Sequence, residues 1–277
     1  MKMFKLFVLS VLVGALCFFS ACGDKSKETD SNAQGEEKKE NVIVVGATAI
    51  PHAQMLEFIK QDLADDGVEL KIVEFSDYVT PNLSLDDGSL DANFLQHKPF
   101  LDSIVKERGL DLVSIGQVHI EPIGFYSDKI ANLDELQDNA SIAIPNDPTN
   151  GGRALILLHN QGLLKLKDVN NLSSNETDIV ENPHNFKIVP VEAALLPRVI
   201  GDYEGAVING NFALQAGKRA KDALFIEDEK SPYANIIATK AAKANDENLL
   251  KLKKALQSEK MRDFIKEKFE GEIVTAF

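Results

Sequence analysis

The sequence has few cysteines, no excess of basic residues and no series of long apolar segments. Its 277 residues include two cysteines, Cys17 and Cys22, so a disulfide framework does not support the body of the protein. The 30 lysines and arginines face 43 acidic residues, and the formal charge of −13 disfavours a nucleic-acid-binding surface. With 17 glycines and 10 prolines the chain is not fibrous or of low complexity, and its apolar runs do not fit a polytopic membrane protein.

The common signatures of enzymes are also missing. The sequence has no G-x-S-x-G nucleophile motif, no P-loop and no G-x-G-x-x-G phosphate loop. The histidines lie far apart along the chain, with no close pair of metal ligands, which disfavours a metal site. They are His52, His97, His119, His159 and His184. The sequence therefore predicts a protein that is not an enzyme and holds neither a metal nor a cofactor.

Residues 1–21 have the features of a secretory signal peptide. Two lysines precede an uncharged segment, Leu6–Phe19, and small residues follow it. As a helix this segment would be about 21 Å long, shorter than a hydrocarbon core of about 30 Å, so a permanent spanning helix is the weaker interpretation. The sequence FSACG resembles a bacterial lipobox, with Phe19 in place of the usual leucine. It predicts that Cys22 carries a diacylglyceryl group and an acyl chain; an ordinary secretory leader is the alternative.

A polar segment, residues 22–40, follows the predicted signal peptide. Between Gly23 and Glu40 the only apolar side chain is that of Ala33, so burial cannot offset the entropy of ordering. A flexible chain of this length spans about 20–25 Å. We therefore expect a disordered tether between the lipid and the globular part.

The globular part begins with an alternation of strand and helix patterns, which predicts an α/β fold. Val42–Val45 is a β-branched run typical of a strand buried on both faces. Apolar residues then recur at helical spacing from His52 to Ala64, and Val68–Ile72 alternates like a second strand. A second unit starts with a strand at Ser141–Ile144 and continues with a helix at Gly151–His159.

The remaining segments continue the same pattern. Strands are predicted at Lys187–Val191 and Gly205–Ile208, with a helix near Ala193–Ile200 between them. A long amphipathic helix is predicted at Glu247–Phe269. Two sheets, each covered by its own helices, fit a chain of this length best.

The turn Asn146–Arg153 is the best candidate for a binding site on physical grounds. A helix start offers unpaired backbone N–H groups, and Arg153 in its first turn offers a planar fork that matches a carboxylate. An arginine at this end opposes the helix dipole, and a ligand carboxylate would explain its position. The alternative is structural, with Asn150 as the helix cap and Arg153 paired with a local acid. The residues alone leave both interpretations open.

Four segments resemble the NlpA family and occur in the family's order. They are EFSDYVTPN at 74–82, DANFLQHKPF at 91–100, IPNDPTNGGRALILL at 144–158 and SPYAN at 231–235. The family consists of methionine-binding lipoproteins that serve ABC importers, and the similarity extends from about Val42 to the C-terminus. The resemblance implies an α/β fold of the two-lobed periplasmic substrate-binding type (type II-like), with an amino acid in the cleft between two lobes.

The resemblance also implies domain bounds and binding residues. One lobe would comprise residues 41–122 plus 232–277, and the other residues 123–231. The implied ligand-binding residues are Tyr78, Phe94, His97, Phe100, Asn150, Arg153, Asn209 and Asn235. Tyr78, His97 and Phe100 would surround the ligand side chain, since a thioether packs well against aromatic edges. Arg153 and the three asparagines would bind the amino and carboxylate groups.

One position departs from the family pattern. Two residues before His97 the family usually has an aromatic residue, whereas this chain has Leu95, with Phe94 one position earlier. Neighbouring residues of a strand point to opposite faces, so Phe94 replaces the missing ring only if the strand is locally irregular. We expect a wider or less aromatic pocket, which leaves the identity of the ligand open.

The resemblance predicts a receptor in the bacterial cell envelope, lipid-anchored on the extracytoplasmic side. It would bind methionine and deliver it to an ABC permease. We expect a monomer that reaches the membrane through its lipid and binds no nucleic acid. Three alternatives stay open: a receptor for another small apolar amino acid, a receptor for a methionine-containing dipeptide, and a surface lipoprotein with an adhesive or regulatory role.

Overall fold

A computed structural model describes residues 41–228 and 231–277. The predicted signal peptide, the tether and Cys22 lie outside the described residues. Within those two ranges, none of the helices combines the length and the apolar character needed to cross a membrane.

Strands and helices alternate along the described residues, which confirms the α/β class. The strands are β1 (Val42–Thr48), β2 (Glu69–Phe75), β3 (Ala92–His97), β4 (Leu112–Ile120), β5 (Gly124–Tyr126), β6 (Ser141–Pro145), β7 (Lys165–Leu166), β8 (Ile179–Glu181), β9 (Lys187–Val191), β10 (Gly205–Ile208), β11 (Phe225–Ile226), β12 (Asn235–Lys240) and β13 (Val274–Thr275). The helices are α1 (Gln54–Asp65), α2 (Thr80–Asp86), α3 (Lys98–Arg108), α4 (Pro148–Asn160), α5 (Leu196–Val199), α6 (Gly210–Gln215), α7 (Glu247–Leu256) and α8 (Glu259–Phe269).

The larger strands form two mixed sheets. The first has the order β13-β4-β12-β3-β1-β2, with β1 parallel to β2 and β3, and β12 antiparallel to β3 and β4. The second has the order β11-β5-β10-β6-β9, with β6 parallel to β9 and β10. The chain leaves the first sheet after β4 and returns to it after β11. Two crossings therefore join the sheets, and the lobe bounds given above are kept as a proposal.

Each sheet has its own apolar core. In the first, α1 buries Leu56, Ile59 and Leu63 at helical spacing, and α7 and α8 add residues to the same core. In the second, α4 packs Leu155 and Leu158 into the core of that sheet. Full burial of one such side chain contributes about 1.5–3 kcal/mol. Each sheet with its helices thus has the packing of a separate lobe.

A third apolar cluster joins residues of both sheets. It contains Leu95 from β3 and Ile208 from β10, together with Phe212 from α6. Tyr78, which precedes α2, packs in the same cluster, and its ring centroid lies 5.0 Å from that of Phe212. This cluster marks the base of the cleft between the two sheets.

The predicted elements agree with the structure except near two helices. The strands predicted at Lys187–Val191 and Gly205–Ile208 are present with those bounds. The single helix predicted over Glu247–Phe269 is wrong, because the chain breaks after Leu256 and Ser258 caps α8, accepting a hydrogen bond from the backbone N–H of Met261 at 3.1 Å. The helix predicted near Ala193–Ile200 is limited to the single turn α5 and a 3₁₀ turn after it.

Candidate ligand-binding cleft

The cleft between the two sheets contains a cavity of about 310 Å³. All the predicted binding residues except Phe94 line it. Four further residues that sequence analysis did not single out also line it: Gln96, Glu121, Gly210 and Asn211.

Phe94 is the predicted binding residue that the structure puts elsewhere. Leu95 faces the cavity, whereas Phe94 is fully buried in the core of the first sheet. The strand is irregular here, because the pairing of β3 with β12 passes from Phe94 to Gln96 and leaves out Leu95, yet Phe94 still does not replace the missing aromatic residue. The Phe94 ring instead contacts the rings of His52 and His119 edge-on, with centroids 4.7 and 5.4 Å away.

The wall beside Leu95 is aromatic. The ring centroids of Tyr78 and Phe100 lie 5.7 Å apart in an edge-on arrangement. The Tyr78 hydroxyl donates a hydrogen bond to Oδ1 of Asn211 at 2.6 Å, which links the first sheet's side of the cleft to α6. Burial raises the pKa of Tyr78 well above its usual value, so the hydroxyl keeps its proton and acts as a donor. The wall is apolar except at this fixed hydroxyl.

His97 joins the two sides of the cleft. Its Nδ1 accepts a hydrogen bond from the backbone N–H of Phe100 at 3.1 Å and so caps α3. Nε2 therefore carries the proton and donates to Oδ1 of Asn150 at 3.0 Å. The same Oδ1 accepts a hydrogen bond from Nδ2 of Asn209 at 2.7 Å. Burial, with a smaller effect of Arg153, lowers the pKa of His97 to about 3, so its ring is neutral.

The start of α4 leaves Asn150 available for this link. Asp147, rather than Asn150, is the helix cap, and its carboxylate accepts hydrogen bonds from the backbone N–H and from Nδ2 of Asn150, both at 2.9 Å. Pro148 at the first helical position suits this start, because its missing N–H would be unpaired there. The prediction of Asn150 as the cap is therefore wrong.

Arg153 lines the cavity and is already paired with an acid. Its Nε donates to the two carboxylate oxygens of Glu227 at 3.0 and 3.1 Å, and its Nη2 bonds to the same carboxylate. Nη2 also donates to the backbone carbonyl of Glu121 at 2.8 Å, and the Tyr233 ring lies 4.4 Å from the guanidinium carbon. Burial opposes the charge, but the pairing with Glu227 outweighs it and raises the pKa of Arg153. The pairing with an acid, one of the two interpretations left open by the sequence, is therefore present, and a role in binding a ligand carboxylate stays a prediction.

Glu121 is the main cavity residue that sequence reasoning missed. It follows β4, is 5% exposed, and its Oε1 lies 2.6 Å from Nε2 of His119 and 3.2 Å from Nε2 of His52. Burial raises the pKa of Glu121 and lowers that of His52 to about 4 and that of His119 to about 3. Ligand atoms of these three residues lie within 4.8 Å of one another, a spacing that could hold a metal ion. Two histidines that the sequence separates by 67 positions thus meet in the fold.

Two amide groups in the cavity wall have an atom without a partner in the described part of the chain. Oδ1 of Asn209 and Nδ2 of Asn211 are buried and form no hydrogen bond within residues 41–228 and 231–277. An unpaired buried polar group costs about 1–3 kcal/mol. One is an acceptor and the other a donor, which suits a ligand that carries both an amine and a carboxylate.

Two α/β sheets joined by two crossings, with a polar and aromatic cavity between them, define a two-lobed substrate-binding protein. The chain belongs to the NlpA lipoprotein family, whose sequence profile matches residues 43–277. The protein is therefore a lipoprotein-type receptor component and not an enzyme.

Individual relatives share most of their length with this chain. It is 41% identical to the probable D-methionine-binding lipoprotein MetQ of Pasteurella multocida (strain Pm70) over 276 residues, which are 99% of each chain. It is 45% identical to the D-methionine-binding lipoprotein MetQ of Escherichia coli (strain K12) over 85% of this chain and 89% of the relative. A nutrient-binding protein from Burkholderia cenocepacia, solved bound to methionine, is 44% identical with a TM-score of 0.82, and the match covers 85% of this chain and all of that one.

Proposed function

We propose that this protein binds methionine in the cavity between its sheets and delivers it to an ABC permease. The observation that carries the proposal is the pair of unpartnered amide atoms on Asn209 and Asn211, beside a buried arginine and an aromatic wall. The names of the relatives in Pasteurella multocida and Escherichia coli and the methionine-bound structure from Burkholderia cenocepacia point to the same ligand.

The polar half of the cavity suits an amino acid head group. The ligand carboxylate would lie toward Arg153 and accept a hydrogen bond from Nδ2 of Asn211. The α-ammonium would donate to Oδ1 of Asn209 and lie against the Glu121 carboxylate, which is the acidic side chain in the cavity wall. The unpaired acceptor of Asn209 then gains a donor, and the unpaired donor of Asn211 gains an acceptor.

The apolar half suits an unbranched, polarisable side chain. Leu95, Tyr78 and Phe100 form its wall, and sulfur contacts with aromatic edges contribute about 0.3–1.5 kcal/mol beyond apolar burial. Methionine should therefore bind more tightly than norleucine, which has nearly the same shape, by about 2- to 12-fold.

Calorimetry on protein that has been unfolded, freed of ligand and refolded tests this function. The titrants are L-methionine, D-methionine, norleucine, leucine and glycyl-methionine. We expect one of the two methionine enantiomers to bind most tightly. If leucine or the dipeptide binds most tightly, that compound is the ligand instead of methionine, and the protein is still a receptor of this class. A protein that binds none of the five would contradict the proposal and favour an adhesive or regulatory role.

We further propose that the receptor works as a monomer without a cofactor, held on the extracytoplasmic side of a membrane by a lipid on Cys22. A receptor of this class must stay near its permease, and a lipidated cysteine after a short leader supplies such an anchor. Cys22→Ser should move the protein from the membrane fraction to the soluble fraction, whereas the matched change Cys17→Ser should leave it in the membrane. Retention of the Cys22→Ser protein after a high-salt wash would contradict the anchor.

A further inference from the structure

We propose that His52 and His119 are positioning residues that hold the Glu121 carboxylate in place as the counter-ion of the ligand's α-ammonium group. The inference rests on the proposed function, because it concerns the head-group half of the same cavity. It assigns a role to two buried histidines that have no place in the cavity lining.

The geometry brings two imidazole nitrogens to one carboxylate oxygen. His52 lies in the turn before α1 and His119 lies near the end of β4, yet both Nε2 atoms lie close to Oε1 of Glu121, at 3.2 and 2.6 Å. The His119 contact is a hydrogen bond, whereas Nε2 of His52 forms its hydrogen bond with Oδ1 of Asn235 at 3.1 Å and meets Glu121 as a second, longer contact. The side chains of both histidines are at most 1% exposed and that of Glu121 is 6% exposed, so water does not compete for these contacts. A carboxylate oxygen is an acceptor only, so both contacts are favourable when the two Nε2 atoms carry protons.

The surroundings of the rings fix that protonation. Thr48 Oγ1 lies 2.7 Å from Nδ1 of His52, where its hydroxyl can donate to the bare nitrogen. Nδ1 of His119 has no hydrogen-bond partner in the described part of the chain. Leaving this nitrogen unprotonated costs less free energy than burying an unpaired N–H, so the proton lies on Nε2. The Phe94 ring contacts both imidazoles edge-on and limits their rotation. Both rings are thus held as neutral donors through Nε2.

Neutral donors leave the charge of the carboxylate available to a ligand. The ionisable groups that act on Glu121 are His52, His119 and Arg153, and a backbone N–H of Asn211 also bonds to it. Burial lowers the pKa of both histidines, and the Arg153 charge is already paired with Glu227. A lysine or arginine in place of either histidine would cancel the negative charge, whereas imidazole orients the carboxylate and stabilises its ionised form. Burial alone disfavours this negative charge, so a cation in the cavity would stabilise it further.

The test compares two ligands that differ by one group. Methionine carries the α-ammonium, and 4-(methylthio)butanoate has the same chain and carboxylate without it. We expect wild-type protein to prefer methionine strongly and His119→Leu to reduce this preference about tenfold or more, the worth of a hydrogen bond to a charged group. His119→Gln, which keeps an N–H donor, should stay near wild type. His52→Leu provides a second variant if His119→Leu does not fold, and the exposed His184→Leu is the matched control.

The pH profile separates positioning from packing. In His119→Leu the carboxyl of Glu121 loses a donor that favours its charged form, so methionine affinity should begin to fall at a higher pH than in wild type. Equal loss of affinity for both ligands, with no displacement of the pH profile, would make the histidine structural and overturn the inference. Binding of equimolar Zn²⁺ by wild-type protein but not by His119→Leu would overturn it as well, because a metal would then hold the carboxylate. If wild-type protein binds methionine and its deaminated analogue equally, the role of Glu121 is refuted and the proposed function is not. If it binds neither ligand, the proposed function is refuted.

Discussion

Replacement of Arg153 by alanine should weaken both the fold and the binding of methionine, by amounts that can be separated. The change leaves the Glu227 carboxylate, 15% exposed, without its partner, and it removes the cation from the Tyr233 ring. Breaking a buried ion pair by removing one partner typically costs about 3–5 kcal/mol of folding free energy. For a domain of this size that corresponds to a fall in Tm of about 6–20 °C.

The loss of affinity should be smaller than for an unpaired arginine. Truncating one partner of a buried charge pair costs about 2–5 kcal/mol of binding free energy, or about 30-fold to several thousand-fold in Kd. Because Glu227 already compensates the guanidinium charge, we expect the lower part of that range, about 30- to 300-fold. Calorimetry with ligand-free, refolded protein measures the affinity, and a thermal melt of the same sample measures the stability.

A double variant distinguishes the two effects. Replacing both partners of a buried ion pair with apolar residues of similar size is often neutral for stability, so Arg153→Met with Glu227→Leu should recover much of the lost Tm. It should not recover methionine affinity, because no cation then faces the ligand carboxylate. The exposed Arg198→Ala serves as the control and should change neither quantity. Recovery of affinity in the double variant would refute the reasoning and assign Arg153 a structural role only.

Three further predictions follow from other parts of the molecule. In the unfolded chain a histidine binds a proton near pH 6.5, whereas burial keeps His52, His97 and His119 neutral down to pH values of about 3–4. The unfolded state therefore binds more protons than the folded state, and the free energy of unfolding should fall as the pH decreases below 6.5. The raised pKa of Glu121 offsets part of this loss of stability. The free energy of unfolding, measured with urea, should change by about 3 kcal/mol per pH unit near pH 5.5. A free energy of unfolding that does not change with pH would contradict the buried neutral state of the histidines. Leu95→Phe should fill the side-chain end of the cavity and weaken glycyl-methionine more than methionine in competitive titrations, and an equal effect on both would move the dipeptide out of this pocket. Ser258→Ala should remove the cap of α8, cost about 1 kcal/mol and lower Tm by about 2–4 °C without altering methionine affinity.

Local pattern was sufficient for five of the thirteen strands of the described residues, whereas most of the cavity's polar residues were predicted from the resemblance to the family. The strands β9 and β10 are short apolar runs next to loops, so their bounds follow from composition. The end of α7 and the start of α8 were not predictable from periodicity, because apolar residues keep helical spacing in both helices. A single serine, Ser258, caps α8 and so separates the two helices. A helix cap contributes only about 1 kcal/mol to stability, and the spacing of apolar residues gives no information about it.

The site was predictable where one segment carries it and not where distant segments meet. Arg153 and Asn150 lie on one helix turn, whose chemistry suggested a carboxylate site before the fold was known. The role proposed for Glu121 depends on both His119 and His52, and His52 lies far away in sequence, although the spacing of His119 and Glu121 already puts these two on one face of β4's continuation. A polar pair at the end of an apolar strand is the signal that could have found it.

His97 caps α3 through one ring nitrogen and reaches across the cleft through the other. If the lobes separate, Nδ1 still caps α3 and the bond from Nε2 to Asn150 is lost, a neutral hydrogen bond worth about 0.5–1.5 kcal/mol, together with the bond from Tyr78 to Asn211. The helix therefore does not unwind during opening, and the imidazole stays oriented for the next closure. We expect a permease that opens the cleft to meet a receptor whose His97 and α3 are already in place for the next ligand.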